Sequence, residues 1–168
     1  MKRITLIIFL LAINFSFSQK KELRKAQKLF DGGDIAAASQ VLTEFQSILE
    51  SADQKVKPQY QFLKGKIAQQ NKEFKIAYDL FNNIKDNSSL KEEVTQQMLL
   101  LSADIVNSAI DDNNAGNFKA STEKLYMAYN IDPEANQDYL YFAASSAVNA
   151  DMFEAALSYY INLKEIKY

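Results

Sequence analysis

Residues 116–128 read GNFKASTEKLYMA, and the order of large and small side chains in that stretch decides the fold. Phe118 opens the segment after a polar turn, the small Ser121 follows, then the large Leu125, and Ala128 is the next member. The same order recurs as Ile35, Ala38, Leu42 and Phe45, as Phe74, Ala77, Phe81 and Ile84, and as Phe153, Ala156, Tyr160 and Leu163. Steps of three and four residues place side chains on one helical face, and a small residue between large ones lets a neighbouring helix approach closely. Upstream, Ala26, Gly65, Ala109 and Ala144 hold the matching small position of a preceding helix. A pattern that recurs in this way marks stacked supersecondary units.

Working outward, the whole chain has 168 residues but only 4 glycines and 2 prolines, and its apolar positions keep helical spacing. An all-α fold of about eight helices is expected. Breaks are expected near Gly32–Gly33, Ser51–Lys57, Asn71–Lys72, Lys85–Ser88, Asn113–Gly116, Ile131–Asn136 and Ala150–Asp151. Four helix pairs then cover approximately 19–50, 58–86, 89–131 and 137–168. Several start signals support these cuts. Ser89 with Glu92, and Asp151 with Glu154, have capping-box spacing. Asp34 follows Gly33 as a cap, and Asp132 precedes Pro133, a residue tolerated in the first helical turn.

The segments Gly33–Asp34–Ile35, Gly116–Asn117–Phe118 and Asp132–Pro133, with Gly65, Phe74, Ala77 and Phe81, resemble the tetratricopeptide repeat, a helix-turn-helix unit of about 34 residues. The resemblance covers nearly all of 19–168 and implies a right-handed solenoid of four helical hairpins. Here the units are irregular: the turn at 51–57 and the helix at about 89–114 are both long. The stretch Tyr139 to Tyr168 is similar to repeats of exported envelope proteins of this family in bacteria.

Composition narrows the chemistry. Cysteine, histidine and tryptophan are absent, which removes thiol and imidazole nucleophiles, the usual zinc sites and every disulfide. No cofactor is expected. Lys2 and Arg3 are two of the 19 basic side chains that stand against 21 acidic ones, so beyond residue 18 the net charge is −4. Basic and acidic residues alternate, as at Lys72–Glu73 and Lys91–Glu92–Glu93, where a nucleic-acid binder would cluster lysine and arginine.

Residues 1–18 have the layout of an export signal: Lys2–Arg3, an apolar run from Ile4 to Ile13, and Ser16 and Ser18 at the small positions before a cleavage point. The uncharged stretch from Ile4 to Gln19 falls short of the roughly 20 residues that span a bilayer as a helix, so no membrane span is expected once the signal is removed. The bacterial periplasm or cell envelope is the expected location.

In the family, the first helix of each pair lines a concave groove that holds extended peptides or partner helices. The resemblance puts Phe62, Lys66, Gln69, Gln70, Val106, Ile110, Asn113, Asn114, Tyr141, Ser145 and Asn149 at such positions. Asparagine and glutamine both donate and accept, which suits a peptide backbone, while Phe62 and Tyr141 could hold side chains. The lysine-and-asparagine clamp that some family members use for a peptide carboxylate is not reproduced, since Lys66 stands alone. Tyr126, Tyr129, Tyr139, Tyr141, Tyr159 and Tyr160 make the carboxyl-terminal half aromatic-rich, and helical spacing assigns them first to packing between helices. Tyr159 and Tyr160 are adjacent and cannot share one core.

Other motifs carry less. Asp111–Asp112–Asn113–Asn114 lacks the alternation of a calcium loop, with Ala115 and Thr122 where ligands belong. Gly32–Gly33 lacks the lysine of a phosphate loop, and Asn87–Ser88–Ser89 reads as a capped turn. The functional expectation is a non-catalytic interaction scaffold with a protein or peptide partner. The alternative is an oligomerisation spacer forming the amino-terminal part of a larger envelope protein. The last helix keeps the internal pattern, so a downstream segment, a second copy or a partner is expected to cover it.

Overall fold

A computed structural model of the chain describes residues 19–168; the expected export signal lies outside the described residues. These residues form nine α-helices and no strand. The helices are α1 (19–31), α2 (Ile35–Glu44), α3 (Gln46–Glu50), α4 (Lys57–Gln70), α5 (Phe74–Asn82), α6 (Lys91–Asn114), α7 (Phe118–Ile131), α8 (Gln137–Asn149) and α9 (Phe153–Glu165). The breaks fall at the expected turns. One further break at Phe45 was not expected: its φ of −105° and ψ of 15° end α2 and start the short α3, with Leu49 N–H still bonded to Phe45 C=O.

Four of the connections share one turn. Gly33, Lys72, Gly116 and Asp151 all have positive φ, at 84°, 61°, 78° and 56°. The next residues, Asp34, Glu73, Asn117 and Met152, have φ between −83° and −88° and ψ between 54° and 74°. Each of these donates its N–H to the carbonyl five residues back, on Leu29, Ala68, Asp112 and Ala147. This is the Schellman closure, which satisfies carbonyls that a helix end would otherwise leave bare. The residue with positive φ donates in turn to the carbonyl three back, so chain reversal and helix start are fixed together. Only Asp34 adds a side-chain cap, to Ala37 N–H at 3.0 Å.

Two expected capping boxes do not form. Asp151 stands in the left-handed region, and α9 starts after Met152 instead. Ser89 donates its hydroxyl to Asn87 Oδ1 at 2.7 Å, and α6 starts at Lys91. Asp132 and Pro133 also open no helix. Asp132 ends α7, Asn136 N–H closes back on its carbonyl at 2.9 Å, and α8 begins at Gln137. The Asn136 amide then reaches Ala128 C=O at 3.1 Å and holds this single turn against α7.

The described residues divide into two compact units, one ending at Thr95 and the other running Gln96–Tyr168. In the first, Leu23 and Ala26 of α1, Ala38, Val41 and Leu42 of α2, Leu49 of α3, and Tyr60, Leu63 and Ile67 of α4 form one buried cluster. A fully buried leucine such as Leu49 or Leu63 contributes about 1.5–3 kcal/mol. Helix α4 also packs on α5. In the second unit α8 packs on α7 and on α9. Ala109, Leu125 and Ala143 form one small cluster there, and Tyr129, Leu140 and Leu163 another, with Tyr159 packed against both. Tyr159 stacks on Tyr126 at 4.7 Å, whereas the adjacent Tyr160 is exposed.

The small positions read from the repeats are closed: Ala26, Ala38, Ala77, Ala109, Ser121 and Ala144 have no accessible surface, and Gly65 and Ala156 are buried. No helix among the described residues is long and apolar enough to cross a membrane.

Candidate functional site

The second unit contains a cleft of about 340 Å³ between α6, α7 and α8. Helix α6 supplies Val106, Ala109, Ile110 and Asn113, whose spacing of three, one and three residues lays them on one face. Helix α7 supplies Ser121 and Leu125, one turn apart. Helix α8 supplies Tyr139 and Phe142 at one end and Ser145, Ser146 and Asn149 at the other. Ile110 and Phe142 are each half exposed, so the apolar walls reach the surface.

Every residue lining the cleft is uncharged. The nearest ion pair is already closed: Lys124 Nζ lies 2.5 Å from Asp112 Oδ2 and 2.8 Å from Ser108 Oγ. Among the polar groups of the lining, Ser146 Oγ donates to Phe118 C=O at 3.0 Å. Ser121 Oγ is buried and has no hydrogen-bond partner. Buried polar groups are nearly always paired, and this hydroxyl, shielded beneath the cleft's surface, is an exception.

Val106, Ile110, Asn113, Ser145 and Asn149 were expected at a binding surface and line this cleft together. Asn114 and Tyr141 do not line it. Tyr141 turns to other aromatics: its ring stacks on Tyr168 at 6.0 Å and meets Tyr160 edge-on at 6.4 Å. Tyr168 donates its hydroxyl to Asp138 at 2.6 Å, and that bond pushes the tyrosine above its usual range. Phe142, the neighbour of Tyr141, occupies the wall instead. Its distances of three residues to Ser145 and seven to Asn149 carried that signal, but helical spacing fits Tyr141 to the same pair almost equally well.

The remaining expected residues lie in the first unit. The Phe62 ring packs on Phe81 at 5.7 Å, and Lys66 Nζ sits 4.5 Å above the Phe30 ring and 5.8 Å from that of Phe62. The ammonium is therefore engaged with aromatic faces. Gln69 is buried, so of the two glutamines only Gln70 stands open to a ligand. Phe62 also lines a hollow of about 500 Å³ with Lys20, Arg24 and Lys55 around it.

Among the described residues no group of three or more carboxylates gathers at a metal position. No family model matches this chain, and no curated protein or solved structure matches it either.

Proposed function

We propose that this chain is a non-catalytic interaction scaffold built from tetratricopeptide-like helical hairpins, exported to the periplasm or envelope of a bacterium, which holds a peptide or partner helix on its α6–α8 face. The single observation that carries the reading is the uncharged cleft, with exposed apolar walls at Ile110 and Phe142 and amides at Asn113 and Asn149. Clefts of a few hundred Å³ with apolar walls and a few convergent polar groups are the usual form of a binding site. The four matching turns and the closed small positions support the repeat reading.

The test is site-specific photocrosslinking in the native envelope fraction, with the photoreactive group placed at Asn113 or Phe142 and, as a control, at Lys91. The expected result is one partner captured from both cleft positions, not from Lys91, and lost when Ile110→Lys is added. Capture from all three positions alike, or capture insensitive to Ile110→Lys, would overturn the reading.

A second reading, an oligomerisation module, is favoured by the exposed apolar residues Phe153, Leu157 and Ile161 on α9. It expects the chain itself as the captured species, with crosslinks from Leu157.

A further inference from the structure

We propose that the hollow beside α1 and α4 in the first unit binds a short acidic segment of a partner protein in extended form, two carboxylates flanking one large apolar side chain. This is a second site, beyond the reading above, and it shares no residue with the α6–α8 cleft. Elsewhere basic side chains have acidic neighbours, as Lys75 has Asp79 one turn on at 2.6 Å. Helix α1 departs from that rule. Lys20, Lys21, Arg24, Lys25 and Lys28 are all exposed and stand at steps of one and three residues, so they share one face, away from the buried Leu23 and Ala26. Like charges one turn apart repel, and α1 places two such steps in a row, from Lys20 through Arg24 to Lys28.

Lys20 and Arg24 line the hollow of about 500 Å³, and Lys55 joins them from the turn before α4. Among the described residues none of these three cations forms an ion pair. Asp53 lies near Lys20 and Lys55, but its carboxylate accepts the N–H groups of Lys55 and Val56 at 2.9 and 3.0 Å, and these two bonds are the main reason that its carboxyl is held below the usual range. It offsets one of the three charges at most. Asp31, at the end of the same face of α1, takes the amide of Gln27 at 2.7 Å. The rest of the accessible lining is neutral: Gln59 is exposed, and Phe62 and Leu90 are half-buried, so an entering chain meets apolar surface beside the cations.

The shape and the charge select the occupant. A concave hollow does not fit a flat bilayer surface. Residues 19–95 hold thirteen cations against eleven carboxylates, so a long polyanion such as a nucleic acid would run onto carboxylates as it left α1. A short segment with alternate carboxylates fits better. Lys20 and Arg24 are four residues apart, about 6 Å along the helix, and same-side residues of an extended chain repeat at about 6.6 Å. Two carboxylates then meet α1, while the residue between them turns the other way, towards Phe62 and Leu90.

The test follows the fluorescence anisotropy of two labelled peptides, Leu-Glu-Leu-Glu-Leu and Leu-Gln-Leu-Gln-Leu, titrated with the purified chain. The acidic peptide should bind about tenfold more tightly, the ratio that two exposed ion pairs supply. Raising sodium chloride from about 50 to about 500 mM should erase most of that difference. Arg24→Glu should remove the preference. Lys85→Glu, the same change of net charge at an exposed lysine outside the hollow, should leave it. Lys20→Glu with Arg24→Glu should turn the preference towards Leu-Lys-Leu-Lys-Leu, a gain that a misfolded variant does not supply. Equal affinities for the first two peptides, equal effects of Arg24→Glu and Lys85→Glu, or an Arg24-dependent affinity for phosphatidylglycerol vesicles or a single-stranded oligonucleotide that exceeds the affinity for the acidic peptide would each overturn the proposal.

Discussion

Gly65 of α4 lies face to face with the buried ring of Phe81 on α5: a Cβ at Gly65 would sit 2.9 Å from Cδ1 and Cζ of that ring and nearer still to Cε1. Phe81 has no accessible surface, and Phe62 packs against it, so the ring has nowhere to retreat. The glycine is what lets a buried phenylalanine stand there: the pairs Ala26 with Leu42 and Ala109 with Leu125, at the same separation, combine an alanine with a smaller partner, and the aromatic that matches Ala144, Tyr160, is exposed.

Gly65→Ala should therefore destabilise the chain by about 1–3 kcal/mol, the usual cost of overpacking, even though alanine favours a helix interior by about 1 kcal/mol. Adding Phe81→Leu should recover part of that loss, because the double variant recreates the combination at Ala26 and Leu42. Denaturant titration of the two single variants and the double variant measures the coupling. Additive losses would show that the two side chains do not meet.

The shared turn makes a second prediction. Lys72 and Asp151 hold the left-handed conformation that glycine holds at positions 33 and 116. Lys72→Gly and Asp151→Gly should each stabilise by about 1 kcal/mol, seen as a rise of roughly 2–4 °C in melting temperature for a chain of this size. Gly33→Ala and Gly116→Ala should have the opposite sign.

Lys124 and Asp112 join α7 to α6 through an ion pair whose side chains are 27% and 20% exposed. That is too enclosed for the near-zero value of a surface pair and too open for the full cost of a buried one. Lys124→Met should cost about 1–2 kcal/mol, since Asp112 and Ser108 both lose their partner. Asp112→Asn on that background should recover some of the loss in thermal melts.

Tyr60 places its hydroxyl in the first core without a hydrogen-bond partner, and burial pushes its ionisation above the ordinary tyrosine range. The folded chain then keeps a proton that the unfolded chain has already released, so stability falls as pH rises through the folded value. Tyr60→Phe should leave stability near neutral pH unchanged or raised by up to about 1 kcal/mol, and should flatten the loss above about pH 10. An unchanged alkaline limb in denaturation measured against pH would contradict this.

Local sequence was enough for the helices and most of their ends. Glycine or a polar residue at the reversals, three- and four-residue spacing of apolar side chains, and small residues at Ala38, Ala77, Ser121 and Ala156 all act within one or two turns of chain, and these interactions are set by neighbours in sequence. Caps were less legible. Ser89 and Asp151 have capping-box spacing, but the Asn87 side chain captures one and the left-handed backbone captures the other.

The cleft belongs to tertiary structure. Val106, Ile110, Asn113, Ser145 and Asn149 could be nominated from helical periodicity, yet which of Tyr141 and Phe142 joins them depends on where α9 and Tyr168 stand. Lys66 has a groove position by periodicity, but its ammonium lies over Phe30, a residue far off in sequence. Ser121 differs from its alanine counterparts by one oxygen, and only the packing of three helices leaves that oxygen buried and unpaired. Periodicity determines which face of a helix is covered; what covers it, and which polar atom is left without a partner, is decided by contacts between residues distant in the chain.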